Sequence, residues 1–151
     1  MHESRADASP ADVREAALRL LARREHSAVE LSRKLKRKGW PESLVEQGIA
    51  ELAEQGLQSD QRFAESFARS RAEKAYGPVR IRAELAERGI DRSLARRALD
   101  ELDVDWLAQA AKWFLRRYGE IRSEDMKEKS RRRQALARRG FEESVIRELT
   151  D

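Results

Sequence analysis

The chain of 151 residues has no cysteine, three prolines and seven glycines. Without cysteine there can be no disulfide framework, no thiolate nucleophile and no cysteine metal site. No apolar run approaches the roughly 20 residues that span a bilayer, and the N-terminus lacks the hydrophobic core of a signal peptide. We therefore expect a protein of the cytoplasm.

The most abundant residue types in the chain favour α-helix. Charged residues make up 40 % of the chain and hydrophobic residues another 40 %, and most of them are strong helix formers. Apolar residues are too numerous and too regularly spaced for intrinsic disorder. The composition predicts an all-α protein.

The net charge of +4 is small, but the basic residues are clustered. Three clusters stand out: Arg33, Lys34, Lys36, Arg37 and Lys38; Arg69, Arg71, Lys74, Arg80 and Arg82; and Arg131, Arg132, Arg133, Arg138 and Arg139. Such clusters can follow a phosphate backbone or an acidic protein groove. They are equally typical of solvated helix faces balanced by glutamates, and the sequence leaves both interpretations open.

One short pattern occurs three times, at intervals of about fifty residues. It reads LKRKGW at 35–40, LAERGI at 85–90 and LARRGF at 136–141. A glycine just past a helix end can adopt a left-handed conformation, and the next residue then folds back onto the helix. The pattern predicts three helix–glycine turn–helix units, in which Trp40, Ile90 and Phe141 pack on Leu35, Leu85 and Leu136.

Residues before each glycine predict where the preceding helix begins. Ser27 and Glu30 form a capping box, and Gly77 precedes Pro78 at a first helical position. In the third copy the better cap is Ser123, which predicts a longer helix. After the glycines, residues suited to a first helical turn are followed by residues expected on the buried side: Pro41, Asp91 and Glu142, then Leu44, Leu94 and Val145.

Each unit also has a leading helix, which begins near Pro10, Asp60 and Asp105. The predicted organisation is therefore a flexible tail at 1–9 and three-helix repeats at 10–57, 59–103 and 105–151. Each repeat is too small to bury a large core and should depend on its neighbours. We expect a monomer in which the modules form an elongated array, straight or curved.

The sequence offers no recognisable catalytic chemistry. It has no phosphate-binding glycine loop and no nucleophile with its base. Of the two histidines, His2 lies in the tail and His26 at a turn without a metal-ligand companion. We predict no enzyme activity, no cofactor and no metal site, and we assign Trp40, Trp106 and Trp113 to packing.

The ordered motifs resemble the RecX family of RecA regulators, and the resemblance covers nearly the whole chain. Its most specific part lies in the second repeat: Asp60, Phe63, Ala64, Arg69, Arg71, Tyr76, Gly77, Pro78, Arg80, Ile81, Arg82, Glu84, Leu85, Gly89 and Ile90. The flanking repeats add Ala17, Leu18, Arg24, Glu25, His26, Ser27, Glu30 and Leu31, and then Asp105, Trp106, Tyr118, Gly119, Arg138, Arg139, Gly140 and Phe141.

The resemblance implies three tandem three-helix repeats and a RecA partner. Members of the family lodge in the groove of the RecA filament on single-stranded DNA and block its extension or promote its disassembly. They thereby suppress ATP hydrolysis, strand exchange and repressor cleavage by RecA, which restrains DNA repair and the SOS response. They can also bind DNA directly, and they need no nucleotide site of their own.

The candidate contacts to RecA or DNA are cations. They comprise the central set Arg69, Arg71, Lys74, Arg80 and Arg82 and the flanking sets Arg33, Lys34, Lys36, Arg37 and Arg131, Arg132, Arg133. A second set of motif residues should shape the modules: Phe63, Gly77, Pro78, Ile81, Leu85, Gly39, Gly89 and Gly140. The alternatives are a general DNA-binding helix-turn-helix protein, with duplex affinity independent of RecA, and a structural adaptor.

Overall fold

The computed structural model describes residues 7–151, and in that range it contains helices and no strands. The predicted tail at 1–9 therefore lies mostly outside the described residues. The helices are α1 (Pro10–Arg23), α2 (Ala28–Arg37), α3 (Glu42–Glu54), α4 (Asp60–Glu73), α5 (Pro78–Glu87), α6 (Arg92–Glu101), α7 (Trp106–Tyr118), α8 (Met126–Arg139) and α9 (Glu143–Thr150). None of them is long and apolar enough to cross a membrane.

The helices fall into three groups of three, each with its own core. Helices α1–α3 form module 1, α4–α6 module 2 and α7–α9 module 3, and the most extensive helix–helix contacts in 7–151 lie within these groups. Each module has a separate cluster of buried apolar side chains. Trp106 packs against the cores of both module 2 and module 3, so the packing role predicted for it is confirmed.

The three predicted glycine turns are confirmed. The φ angles are +93° at Gly39, +75° at Gly89 and +96° at Gly140, values that only glycine adopts without strain. The following amide then donates to the carbonyl five residues back, as in a Schellman turn. These bonds run from Trp40 to Leu35 (3.2 Å), Ile90 to Leu85 (3.0 Å) and Phe141 to Leu136 (3.2 Å).

Two of the predicted helix starts are confirmed and one is wrong. Ser27 and Glu30 form the capping box of α2, and Pro78 opens α5 after Gly77. In α8 the cap is Asp125 and not Ser123, since the Asp125 carboxylate accepts the amide of Lys127. The Ser123 hydroxyl instead accepts the amide of Asp125 and shapes the turn before the helix. The greater length of α8 is confirmed, at 14 residues against 10 for α5.

The residues predicted for the first turn of each module's third helix lie just before that turn. Pro41, Asp91 and Glu142 stand at the N-cap positions and not in the first turn. Leu44, Leu94 and Val145 are half-buried and pack against the cores of their modules, as predicted for the buried side. The fully buried residues are the next ones, Val45, Ala95 and Ile146.

Candidate partner-binding surface

Modules 2 and 3 are joined by their backbones. The amide of Gly77 donates to the carbonyl of Arg139 at 2.7 Å, and that of Val79 donates to the carbonyl of Gly140 at 2.9 Å. Amides at a helix start and carbonyls at a helix end have no partner within their own helix. The start of α5 and the end of α8 therefore satisfy each other, with opposite ends of two helix dipoles in contact.

Glycine is required at this junction on both sides. A Cβ on Gly77 would collide with the backbone of Gly140, and one on Gly140 would collide with Arg80. Gly77 has an ordinary φ of −87°, so close approach alone requires glycine there. Gly140 needs both the space and its left-handed conformation.

Modules 1 and 2 meet at the equivalent positions, the start of α2 and the end of α5, but there the contacts are made by side chains. A Cβ on Gly89, at the end of α5, would collide with Val29 in the first turn of α2. The α2 amide of Ala28 is capped by the carboxylate of Asp60 from module 2 at 2.8 Å. Across the same junction, Arg33 donates to the carbonyl of Glu87 at 3.0 Å.

His26 is buried beside this junction, between α1 and α2. Its Nδ1 lies 3.0 Å from the carbonyl of Arg24, which can only accept, so Nδ1 carries the proton. Its Nε2 then accepts from the ammonium of Lys34 at 2.9 Å. Burial lowers the pKa of His26, and the positive charges of Arg24 and Lys34 add to the effect.

A cluster of arginines surrounds Tyr76 next to the junction of modules 2 and 3. The guanidinium carbons of Arg71, Arg80 and Arg139 lie 4.3, 4.4 and 4.0 Å from the centre of the tyrosine ring. Arg71 also forms an ion pair with Glu84, which is only 14 % exposed. Arg80 contacts the same carboxylate at 3.4 Å.

This arrangement divides the central set of candidate cations. Arg71 and Arg80 are half-buried and engaged in the tyrosine cluster. Arg69 and Lys74 are exposed and form no ion pair within residues 7–151. Arg82 is exposed and lies 4.0 Å from Glu142 of module 3.

The first flanking set is not one open patch. Arg33 reaches module 2, Lys34 contacts His26, and Lys36 pairs with Glu46 at 2.7 Å. Arg37 is exposed.

The third set is engaged mainly inside module 3. Arg132 pairs with Glu128 at 3.2 Å and lies over the ring of Tyr118. Arg133 pairs with Asp151 at 2.5 Å. Arg131 is exposed and contacts Glu128 at 3.5 Å.

The motif residues assigned to shape lie partly in the packed interior and partly at exposed glycine turns. Those that are buried are Phe63, Gly77, Pro78, Ile81, Leu85 and Gly140. Gly39 and Gly89 are exposed but have the left-handed conformation of the turns. In the part of the chain that the structure describes, no three His, Cys, Asp or Glu residues are grouped to hold a metal ion.

Two of the residues quoted for the family resemblance have contacts that the sequence does not predict. Asp60 is predicted to begin a helix, and in the structure it also caps the preceding module. Arg139 donates to the carbonyls of Ala75 (3.2 Å from Nε) and Lys74 and so ties module 3 to the end of α4. Neither role has a local signal, because both partners are distant along the chain.

Comparison with known proteins agrees with the three modules. Residues 14–52, 59–99 and 103–149 match the families described as the first, second and third three-helix domains of RecX. The regulatory protein RecX of Pseudomonas entomophila (strain L48) is 43 % identical over 93 % of this chain and 91 % of its own length. That of Halorhodospira halophila (strain DSM 244 / SL1) is 46 % identical over 95 % and 89 %.

Two solved structures have a similar fold. A crystal structure of RecX from Lactobacillus salivarius superposes with a TM-score of 0.75 at 25 % identity, over 93 % of both chains. A second, described as regulatory protein RecX, gives 0.79 at 27 % identity over 93 % of this chain and 70 % of its own. The all-helical fold predicted from the sequence is thus confirmed, and the chain belongs to the RecX family of regulatory proteins.

Proposed function

We propose that this protein is a negative regulator of RecA that binds the RecA filament on single-stranded DNA. Binding inhibits ATP hydrolysis, strand exchange and coprotease activity, and so restrains DNA repair and the SOS response. The observation that carries the proposal is the match of all three modules, in order, to domains of a family of regulatory proteins.

Three modules in series suit a repeating partner. Each can contact a different RecA protomer, and contacts that are weak singly add up through a high effective concentration. A charged surface favours reversible, salt-sensitive binding over permanent assembly. The exposed candidate contacts are Arg33, Arg37, Arg69, Lys74, Arg82 and Arg131, and the same cations supply a weaker direct contact to DNA.

The proposed regulator acts as a monomer and catalyses no reaction itself. The nucleotide hydrolysed in the process belongs to RecA, and no cofactor or metal is involved. RecA works on DNA, so the proposed site of action is the cytoplasm.

The test is DNA-dependent ATP hydrolysis by RecA, with this protein added at amounts well below those of RecA. The proposal predicts a fall in the rate, because one regulator at a filament end or groove affects many protomers. An unchanged rate at saturating amounts would reject it. Duplex binding that is steeply salt-dependent and occurs equally without RecA would instead indicate a general DNA-binding protein.

A further inference from the structure

Two depressions in the surface have Lys74 in both of their linings, and we call the pair the groove. Its first part, between modules 1 and 2, is lined by residues that include Arg24, Arg71 and Arg88. Its second part, between modules 2 and 3, is lined by residues that include Trp113, Arg116 and Arg117. Lys74 lines both parts, so the cations of the groove come from three separate modules.

Free positive charge is concentrated in the second part, which we call the Lys74 cleft. Within residues 7–151, Lys74, Arg116 and Arg117 form no ion pair, and Glu73 is the one carboxylate among the residues lining the cleft. In the first part each arginine already has a carboxylate partner: Arg24 has Glu30 at 3.1 Å, Arg71 has Glu84, and Arg88 has Glu30 and Glu87 at 3.8 and 3.9 Å. The Lys74 cleft is therefore where the groove attracts an anion most strongly.

The aromatic rings of the groove are poorly placed to stack on nucleobases. Phe67 has the guanidinium of Arg88 at 4.6 Å from its ring centre. Trp113 lies against two guanidinium groups, those of Arg139 at 5.3 Å and Arg117 at 5.8 Å. Single-strand binding without sequence preference depends on open aromatic faces for stacking, and each of these rings already has a guanidinium within 6 Å of its centre.

The charge pattern also favours a peptide. Glu73 in the wall would repel a phosphodiester backbone, which carries a charge at every nucleotide. A peptide can place its carboxylates where the cations are and neutral residues opposite Glu73. Two arginines offer carboxylates the paired, parallel hydrogen bonds that a guanidinium forms best.

We propose that the Lys74 cleft binds an extended acidic segment of a protein partner. Arg116 and Arg117 hold its carboxylates, and Lys74 supplies a further positive charge from the neighbouring module. The inference rests on the proposed function only in that a filament protein would supply such a segment. The cleft exists only while modules 2 and 3 are joined. Partner binding at the cleft therefore depends on an intact junction between these modules.

The test compares two triple variants with the same loss of charge. Lys74→Ala, Arg116→Ala and Arg117→Ala together empty the cleft of its unpaired cations. The matched control replaces the exposed Arg92, Arg96 and Arg147 with alanine, residues that lie away from the cleft on α6 and α9. The probes are a labelled peptide of alternating Glu and Gly and a labelled oligothymidylate of equal formal charge, with Kd measured by fluorescence anisotropy.

We expect the cleft variant to weaken peptide binding by about tenfold or more, equivalent to about 1.4 kcal/mol. The control should weaken it by less than about twofold, because distant exposed charges are screened. Oligothymidylate binding should differ little between the two variants. Equal peptide binding by both variants, or a loss of oligothymidylate binding as large as that of the peptide, would overturn the proposal.

Failure of the cleft can be told apart from failure of the proposed function. If the unmodified protein inhibits RecA and the cleft variant inhibits equally well, the cleft proposal is wrong and the regulator proposal stands. If the unmodified protein does not inhibit RecA, the regulator proposal fails whatever the peptide binding shows.

Discussion

The amide of Gly77 and the carbonyl of Arg139 form a 2.7 Å hydrogen bond that joins two modules whose cores are separate. It places the start of α5 against the end of α8. Modules 1 and 2 use the same positions, yet there Asp60 supplies the cap that a backbone carbonyl supplies here. Two junctions of common design thus differ in chemistry, because the helix start is capped by a backbone carbonyl in one and by a side-chain carboxylate in the other.

Gly77→Ala should separate modules 2 and 3 although alanine can adopt the backbone conformation of Gly77. The new Cβ would collide with the Gly140 backbone, and we expect a loss of about 1–3 kcal/mol in the free energy of unfolding, typical of overpacking. Chemical denaturation followed by circular dichroism measures it.

Gly48→Ala is the matched control. Gly48 lies inside α3, where a Cβ would meet a methyl group of Val13 at an ordinary 3.5 Å. Alanine is the better helix former by about 0.5–1 kcal/mol, so this variant should be as stable as the parent or more so. Equal destabilisation by both substitutions would contradict the account of the junction.

Asp60→Ala should weaken the junction of modules 1 and 2. The carboxylate accepts from the amide of Ala28 at 2.8 Å and from the side chain of Gln58 at 2.9 Å. Loss of a helix cap costs about 0.5–2 kcal/mol, and faster amide hydrogen exchange at the start of α2 should report it directly. Asp60→Asn keeps one acceptor oxygen and should cost less. An unchanged exchange rate in the alanine variant would show that the cap contributes nothing.

Acid should destabilise the protein through His26. Because the pKa of His26 is lowered by burial and by nearby cations, the unfolded chain binds the proton more readily. The contribution of neutral His26 to the free energy of unfolding is therefore complete above the unfolded pKa of about 6.5. This contribution is lost as the pH falls from there through the lowered pKa of the folded state. Protonation also removes the acceptor of Lys34.

The measurement is the free energy of unfolding as a function of pH. The slope between about pH 6.5 and 5 should be positive in the parent and smaller in His26→Gln. His2→Ala is the control and should keep the slope of the parent. If His26→Gln leaves the slope unchanged, His26 is not the group responsible.

Arg71 and Arg69 should behave differently although both lie in the central set of candidate cations. Arg71→Ala leaves the half-buried Glu84 with only the longer contact to Arg80, and we expect a cost of about 1–3 kcal/mol in the free energy of unfolding. Arg69→Ala, at an exposed position, should stay within about 0.5 kcal/mol of the parent. Thermal and denaturant unfolding of the two variants give the comparison, and equal stabilities would contradict the placement of Arg71.

Turns were predictable from the sequence because their causes are local. Gly39, Gly89 and Gly140 each need a left-handed backbone, and the apolar residues on either side specify the packing. The start of α8 was mispredicted because two capping residues, Ser123 and Asp125, compete within one turn. Only the geometry of the turn decides between them.

The candidate site was less predictable, because charge clusters in the sequence do not show which cations are free. The sequence predicts that Arg71 and Arg80 are surface cations. In the structure these two residues and Arg139 of the next module surround Tyr76. Arg71 meets Glu84, 13 residues away along the chain, and Arg80 donates to the carbonyl of Arg138, 58 residues away. The Lys74 cleft has the same origin, since Arg116 lies on a helix of another module.

The central claim is that the three modules together hold a RecA filament, and cross-linking tests it most directly. Filaments formed on single-stranded DNA are treated with a lysine- and carboxylate-reactive cross-linker in the presence of this protein, and the products are mapped by mass spectrometry. We expect cross-links to RecA from modules 1, 2 and 3, spread over more than one protomer. Cross-links from a single module, or none to RecA at all, would contradict the claim.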